Sequence, residues 1–444
     1  MNLTVFPSNK GDCLLVSGED GGRMLVDGGM TGSYRDFVAP ALAELHERGE
    51  QLDVVCVSHI DEDHIAGVLR LMDDLLAWRV FDYQSRPETD NPNPKKPKSP
   101  RPPEVKAVWH NGFDRQLGKN AGRIEQMLSA SATILSGTDE ERIRLMVLEQ
   151  RAIVTGVAQA VTLSNRIGAD QLDIPINPEV DGKLMAVDTR RGVIRLGGLR
   201  MTVIGPSKAR LEQLRKEWND WLRENRETLG RIEEEAKEDR LPPAAGFLAT
   251  AAPLIAPMLA QAQALAASST VTVPNLASLM LLVEEGERRL LLTGDGIAED
   301  IVAGLKRCQK LDADGRIHVD VLKVQHHGAT ANINQAFCEA VTADHYVFCG
   351  NGAHHNPERA VVELIVTNRL AAPPSSGPAA DRPFKLWFNS SESFAETESR
   401  RHHMKEIEAD VRRLAATADD RLEFAFITDP EWAERKRFEL TLGD

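Results

Sequence analysis

A run of potential metal ligands directly follows an apolar strand, and this feature constrains the fold more than any other. The strand from Leu52 to Val57 leads into Ser58-His59-Ile60-Asp61-Glu62-Asp63-His64. A strand of this apolar kind is typical of a sheet that is covered on both faces. Imidazole nitrogens and carboxylate oxygens this close together on a tight turn suit zinc or manganese. The alternative is a solvated acidic turn in which Asp61 and Asp63 only cap the following helix.

Two later strands also end in residues of this chemistry. The run Leu290-Leu291-Leu292-Thr293-Gly294-Asp295 closes one strand with a carboxylate, and Asp320 to Val324 leads into Gln325-His326-His327-Gly328. Ligands of open α/β folds collect outside the carboxyl ends of the strands. The two turns are therefore what a second half of a metal site requires.

The chain alternates strand and helix patterns, which is typical of the α/β class. Leu3 to Phe6, Cys13 to Ser17 and Arg23 to Val26 predict strands, and residues 35–49 predict a helix. Strand patterns return in the second half of the chain. The predicted organisation is a first half of the fold in residues 1–112, a mostly helical insertion in 113–270 with one returning core strand near 199–205, and a second half with a C-terminal extension in 271–444.

Two segments have an unusual composition. The stretch from Ser85 to Lys106 is rich in proline and predicts a loop or mobile arm, whose basic residues include Lys95, Lys96, Lys98 and Arg101. The stretch from Arg210 to Arg240 predicts a charged helix with a thin apolar stripe. Such a helix is usually a solvated face, but it could also recruit a protein partner.

The composition argues against several classes of function. A formal charge of −14 provides no global basic field for nucleic acid or an anionic membrane, so a polyanionic substrate needs local cations or metals. The five cysteines include no C-x-x-C pair, and we expect reduced thiols in a cytoplasmic protein. The N-terminus does not resemble a secretory signal. The uncharged stretch from Leu241 to Val283 is a poor membrane span because Pro253 and Pro257 interrupt its alanine-rich sequence.

Taken together, these motifs resemble the metal signature of the metallo-β-lactamase superfamily. The signature reads H-x-H-x-D-H, then His, then G-D, then His, and in this chain Asp61 replaces its second His. SHIDEDHIAG, LLTGD and LKVQHHGA further look like the ComEC-type hydrolase domain, which occurs alone or attached to a DNA-uptake channel. The similarity covers residues 1–84 and 199–370. It implies a metallo-β-lactamase αββα sandwich, here with helical insertions, whose site lies at one edge between two sheets.

The resemblance also implies roles for individual residues. The metal ligands that it implies are His59, Asp61, Asp63, His64, His110, Asp295 and His326. For His110, an ordinary buried or surface histidine is the alternative. Asp27 would orient a ligand imidazole, with a simple D-G-G turn as its alternative. The catalytic candidates are Asp63 and His327, and the residues expected to contact substrate are Asn275, Ser278, His354 and His355.

These assignments predict a hydrolase in which two divalent ions, zinc or manganese, activate a shared hydroxide. A G-H-T-x-G run is missing, which disfavours thioester and lactam substrates and makes a phosphodiesterase or nuclease the leading hypothesis. The lysine arm favours a nuclease, whereas the acidic net charge opposes it. Hydrolysis of a small phosphoester or headgroup competes with this hypothesis. A metal-binding interaction module with vestigial activity is the alternative from a different class.

Overall fold

The chain folds as an α/β protein around two β-sheets. The computed structural model describes residues 1–89, 93–112, 159–160, 162–189, 192–224, 226, 277–371 and 382–443. Most of the helical insertion, the alanine-rich stretch up to residue 276 and the predicted substrate contact Asn275 lie outside these residues.

The strands are short, and their apolar side chains are buried on one or both faces of a sheet. In chain order the described strands are β1 (Asn2–Val5), β2 (Leu14–Ser17), β3 (Arg23–Val26), β4 (Val54–Val57), β5 (Val108–His110), β6 (Ile194–Leu196), β7 (Leu199–Gly205), β8 (Met280–Glu285), β9 (Arg288–Leu292), β10 (Ile317–Lys323), β11 (Val341–Phe348), β12 (Phe384–Phe388), β13 (Leu422–Phe426) and β14 (Phe438–Thr441). The first sheet has the order β14-β1-β2-β3-β4-β5, and the second has the order β13-β12-β11-β10-β9-β8-β7-β6.

Helices connect many of these strands. The described α-helices are α1 (Thr31–Ser33), α2 (Ala39–Glu47), α3 (Glu62–Gln84), α4 (Lys208–Glu224), α5 (Ala298–Arg307), α6 (Gln335–Ala340), α7 (Arg359–Ala371), α8 (Glu398–Ala415) and α9 (Pro430–Ala433). A π-helical segment, Tyr34–Val38, joins α1 to α2, and Gln325–Gly328 and Ala353–His355 form 3-10 turns.

Three apolar clusters define four layers. The first cluster packs Val55 and Val57, from one face of β4, with residues of α2 and α3. The second cluster takes Val54 and Cys56 from the opposite face of β4 and fills the space between the two sheets. The third cluster packs the second sheet against α5, α6, α7 and α8. Helices therefore cover a sandwich of two mixed sheets, and β4 is apolar throughout because both of its faces are buried.

The parallel strands of the two sheets place their carboxyl ends at one edge of the sandwich. β3, β4 and β5 run parallel in the first sheet, and β9 to β13 run parallel in the second. The turns that follow β3, β4, β9 and β10 carry the polar residues singled out in the sequence. The topology therefore brings these turns together, although they are far apart along the chain.

Two strands that lie outside the metal-ligand motifs of the sequence complete the two sheets. β7 lies in the second sheet between β6 and β8. β14, close to the C-terminus, pairs antiparallel with β1, so that Asn2 lies opposite Thr441 and Val5 lies opposite Phe438. The sequence patterns did not indicate this pairing between the two ends of the chain.

The cysteines are free, and Cys13, Cys56, Cys338 and Cys349 are buried. Burial raises the pKa of the Cys13, Cys56 and Cys349 thiols well above its ordinary value. These thiols are therefore protonated apolar core groups rather than nucleophiles. In the described ranges, none of the helices combines the length and the apolar composition that crossing a bilayer requires.

Candidate metal centre

The turn between β4 and α3 carries the first part of the polar cluster. His59 is buried, and its Nε2 lies 3.6 Å from Asp61 Oδ2 and 3.4 Å from Asp295 Oδ2. Asp61 occupies the N-cap position of α3, yet its side chain makes no capping hydrogen bond. The carboxylate of Asp61 therefore faces His59 instead of serving as a cap, which removes the support for the capping interpretation at this residue.

Asp295 lies at the centre of the cluster. It follows β9, is almost completely buried, and its carboxylate oxygens lie 3.6 Å from Nε2 of His64, His326 and His327. The side chains of Asp12, His64, Asp295 and His327 each offer a ligand atom, and these atoms all lie within 4.8 Å of one another. This group could hold a metal ion.

Two buried carboxylates orient two of the imidazoles. Asp27 Oδ2 lies 2.8 Å from His64 Nδ1, and Asp12 Oδ1 lies 3.1 Å from His327 Nδ1. A carboxylate beside Nδ1 favours the tautomer that carries its proton there and leaves the Nε2 lone pair available. The Nε2 atoms of His64 and His327 are 3.4 Å apart. Two lone pairs facing each other at this distance require a proton or a metal cation between them.

The buried atoms of the cluster fit a metal. Within the described residues, His59 Nε2 and Asp295 Oδ1 are buried without a hydrogen-bond partner. Leaving such an atom unpaired costs about 1–3 kcal/mol. A divalent cation accepts lone pairs from both atom types, and mixed imidazole and carboxylate donors are suitable for zinc and for manganese.

The electrostatics of the cluster favour a cation. Burial by itself raises the pKa of Asp295, but the surrounding imidazoles of His327, His326, His64 and His59 hold that pKa well below its usual value. Burial and the neighbouring His64 lower the pKa of His59, yet Asp295 and Asp61 together outweigh them and raise that pKa to about 9. Asp295 and Asp27 likewise overcome burial and raise the pKa of His64 well above its usual value. The negative charge that retains protons here would also attract divalent metal ions.

The remaining predicted ligands lie at the same edge of the sandwich as this group. Asp63 Oδ2 is 3.6 Å from His327 Nε2, and 18% of its side chain is exposed. His110 is the last residue of β5, where Val57 is its register partner, and its ring is buried. The side chain of Asn177 holds its backbone with two hydrogen bonds of 2.8 Å. His110 is therefore placed at the right edge but is not part of the four-residue group.

The predicted substrate contacts occupy different environments. Ser278 is completely buried, and its hydroxyl oxygen accepts a hydrogen bond from the Asp295 backbone at 3.3 Å. That hydrogen bond holds the backbone of the turn that carries Asp295. His354 and His355 are exposed on a 3-10 turn, and the following Asn356 donates to the carbonyl of His326 at 3.3 Å. His354 lies near Lys10, Asp63 and His326, whereas the His355 ring lies 5.4 Å from the ring of His403.

The positions of His326 and His327 relative to Asp295 are more alike than the two roles expected from the sequence. The sequence assigned the late ligand to His326 and a catalytic role to His327. Both Nε2 atoms lie 3.6 Å from Asp295 Oδ2, but His327 is the more deeply buried of the two. His326 Nδ1 lies 2.6 Å from Asn332 Oδ1. Both histidines have positive φ angles, 46° and 57°, and this unusual backbone turns both rings toward Asp295.

The start of α3 is fixed by close backbone contact with the turn after β3. Gly28 donates to the carbonyl of His64 at 2.9 Å, and Gly67 donates to the carbonyl of Gly29 at 2.9 Å. A Cβ atom added at Gly67 would lie 1.9 Å from the carbonyl oxygen of Gly28. Because Gly28 and Gly67 have no side chains, the turn and the helix approach each other closely, and this contact places His64 beside Asp27.

We expect Gly67→Ala to destabilise the protein by about 1–3 kcal/mol or more, because the added methyl group must separate α3 from the turn. Chemical denaturation measures this loss. Gly32→Ala is the matched control, since a Cβ at Gly32 meets nothing within 4 Å, and it should be neutral or slightly stabilising. Equal stability of the two variants would contradict the proposed contact.

The fold and the polar group define a two-sheet α/β sandwich with a candidate metal centre at one edge. This arrangement is consistent with the metallo-β-lactamase fold. Residues 9–75 match the family model described as the Metallo-beta-lactamase superfamily. The matched segment contains Asp12, Asp27 and the whole turn from His59 to His64. This similarity implies a metal-dependent hydrolase. No curated protein matches the chain.

Proposed function

We propose that the chain is a metal-dependent phosphodiesterase with two divalent ions, zinc or manganese. The observation that carries this proposal is the position of the Asp295 carboxylate, whose Oδ2 lies 3.4 Å from His59 Nε2 and whose Oδ1 lies 3.6 Å from His64 Nε2. A carboxylate between two groups of ligands is what a pair of ions requires. The similarity of residues 9–75 to a superfamily of hydrolases supports the same conclusion.

The contacts suggest two sets of ligands that share Asp295. His59 and Asp61 form one set, and Asp63, His64 and His327 form the other. His326 and His110 lie at the same edge and are candidates to complete the sets. Bound ions would supply Lewis acidity toward the ester and lower the pKa of a water molecule.

The residues around the centre would orient the substrate and transfer protons. Asp63, partly exposed, is the catalytic candidate that would accept a proton from the attacking water at its carboxylate. Partial desolvation and the nearby Lys10 cation lower the pKa of His354. A neutral imidazole at this position can donate a hydrogen bond to a phosphate oxygen without forming a fixed ion pair. We assign this role to His354 and to its neighbour His355.

Activity assays with purified protein test the proposal. After loading with zinc or with manganese, we expect hydrolysis of a small aryl phosphodiester, and no hydrolysis of a thioester or a β-lactam. Turnover of the thioester or lactam in preference to the phosphodiester would contradict the substrate assignment. Bound metal without turnover of any of these compounds would instead support an interaction module with vestigial activity.

The position of the proline-rich arm bears on the choice between a nuclease and a phosphodiesterase acting on a small ester. The indole of Trp78 donates to the carbonyl of Ser99 at 3.2 Å, and Arg101 pairs with Asp82 while lying 5.1 Å over the Trp78 ring. Trp78 is fourteen residues after His64 on α3, which corresponds to about 21 Å along the helix axis. The arm can therefore reach a long polymer but not a small ester bound at the metal centre. A small phosphoester or headgroup would need no contact with the arm, and it is the second candidate substrate.

We expect the triple variant Lys95→Gln, Lys96→Gln, Lys98→Gln to hydrolyse a small aryl phosphodiester at the wild-type rate. All three lysines are exposed, whereas Arg101 is left unchanged because it pairs with Asp82. With DNA as substrate, a raised KM and a weaker salt dependence in the variant would identify a nuclease. Each contact with a phosphate contributes about −0.9 to the slope of log binding constant against log salt concentration. Lys405→Gln, at an exposed position on α8, controls for the loss of one surface charge elsewhere. Unchanged kinetics on both substrates would make the arm irrelevant to binding.

A further inference from the structure

Lys323 is a buried cation beside the cluster; it lies within the motif LKVQHHGA, but the sequence analysis assigned it no role. It is the last residue of β10, and only 1% of its side chain is exposed. Its Nζ contacts the carboxylate of Asp12, lies 3.8 Å from Asp295 Oδ1 and donates to the carbonyl of Gly294 at 3.0 Å. A buried charge is strongly unfavourable unless charged or polar groups compensate for it. Asp12 is therefore the main partner of this lysine.

Asp12 links Lys323 to His327. Its Oδ1 lies 3.1 Å from His327 Nδ1, and its Oδ2 contacts Lys323. Its backbone carbonyl is also fixed, because it accepts a hydrogen bond from Gly29 at 2.8 Å. Asp12 belongs to the four residues whose ligand atoms lie within 4.8 Å of one another, but its two oxygens contact His327 and Lys323, so it is better suited to orient His327 than to bind a metal itself.

The corresponding carboxylate on the other side of the cluster is held differently. Asp27 contacts His64 Nδ1 with Oδ2, and it accepts hydrogen bonds of 2.7 Å from both the backbone nitrogen and the hydroxyl of Ser58. Neutral donors therefore fix Asp27. Asp12 relies on a lysine in their place. Its Oδ2 also lies 3.9 Å from His64 Nδ1, but Asp27 holds that nitrogen at 2.8 Å, so the position of His327 depends on the buried lysine more than that of His64 does.

We propose that Lys323 is a positioning residue that acts through Asp12 to hold His327 with its Nε2 directed toward Asp63 and Asp295. Its ammonium group balances the Asp12 charge and keeps that carboxylate on Nδ1 of His327. Without it, Asp12 would be an uncompensated buried anion and would be free to turn toward the metal ligands. The inference rests on the metal centre of the proposed function but not on the identity of the substrate.

The test compares Lys323→Met, which retains the length of the side chain without its charge, with the wild-type protein. Competition against a chelator measures the affinity for Zn²⁺, and nitrogen NMR of the histidine rings reports their tautomers in the zinc-loaded protein. We expect the zinc affinity to fall about 10–100-fold, as is typical when an outer partner of a ligand is lost. The ring signals of His327 should shift more than those of His64, because Asp27 still holds His64 Nδ1 at 2.8 Å while Asp12 Oδ2 lies 3.9 Å from it.

Lys310→Met is the matched control. Lys310 pairs with Glu284 at 2.6 Å in a partly buried ion pair outside the cluster. This variant should retain both the zinc affinity and the His327 signals. A Lys323→Met protein that behaves like this control would overturn the inference.

A second variant keeps the inference testable if Lys323→Met does not fold. Asp12→Asn combined with Lys323→Met removes both buried charges together, and it should bind zinc no more weakly than Asp12→Asn alone, because the two residues act in series. A further loss of zinc affinity in the double variant relative to Asp12→Asn would contradict that series. A wild-type protein that binds no zinc would overturn both the metal centre and this inference. A wild-type protein that binds zinc without hydrolysing a phosphodiester would overturn only the proposed reaction.

Discussion

Asp295→Asn is expected to lower the rate of phosphodiester hydrolysis by about 10³-fold or more, since a carboxylate that held the ions of the proposed centre would contribute several kcal/mol of transition-state stabilisation. Asparagine retains the shape of the side chain but removes the charge that faces His59, His64, His326 and His327. We expect the variant to bind fewer metal ions as well. Steady-state kinetics and elemental analysis of the purified variant measure the two effects.

Asp63→Asn should show a comparable loss of turnover, because Asp63 combines a position among the ligands with access to solvent. Asp300→Asn is the control for both variants: Asp300 lies on α5 and pairs with Arg210 at 2.9 Å, away from the cluster. Circular dichroism should show that all three variants are folded. Near-wild-type turnover by either Asp295→Asn or Asp63→Asn would remove that residue from the proposed site.

Removal of metal is expected to abolish hydrolysis and to lower the melting temperature by roughly 5–10 °C. This shift assumes two bound ions and a free metal concentration of about a thousand times the Kd of each site. The physical reason is the density of buried charge: without a cation, Asp12, Asp27 and Asp295 are balanced only by imidazoles and Lys323. Calorimetry before and after treatment with a chelator measures the change in melting temperature. Adding zinc or manganese back should restore both properties.

Elemental analysis after this reconstitution should find close to two ions per chain. The ligands proposed for the two sets outnumber those that a single tetrahedral ion can use. At most one bound ion, with either metal in excess, would contradict the shared Asp295 arrangement. An unchanged melting temperature after chelation would show that the buried charges are already balanced by protons and Lys323 alone.

The local motifs could be predicted from the sequence because their signals lie within a few residues. Val54 to Val57 is apolar on both faces, and β4 is indeed buried on both sides. The glycines of the turn after β3 and at the start of α3 allow the backbone contact that places His64 near Asp27. The α/β class followed from the alternation of strand and helix patterns, whereas the two-sheet sandwich was expected from the resemblance to the metallo-β-lactamase superfamily. The division of the chain into domains and the roles of the individual site residues remain predictions.

The tertiary structure decided which distant residues complete the cluster. Asp12 precedes β2 and Lys323 ends β10, and no spacing in the sequence relates them; they meet because the carboxyl ends of parallel strands from both sheets share one edge. The orientation of His326 and His327 depends on two positive φ angles that a pair of adjacent histidines does not signal. Likewise, only the packing of Arg101 and Ser99 against Trp78 placed the basic arm far along α3 from the centre. In each case the deciding interaction joins residues that are remote in sequence or depends on backbone angles, whereas sequence patterns report mainly local preference and burial.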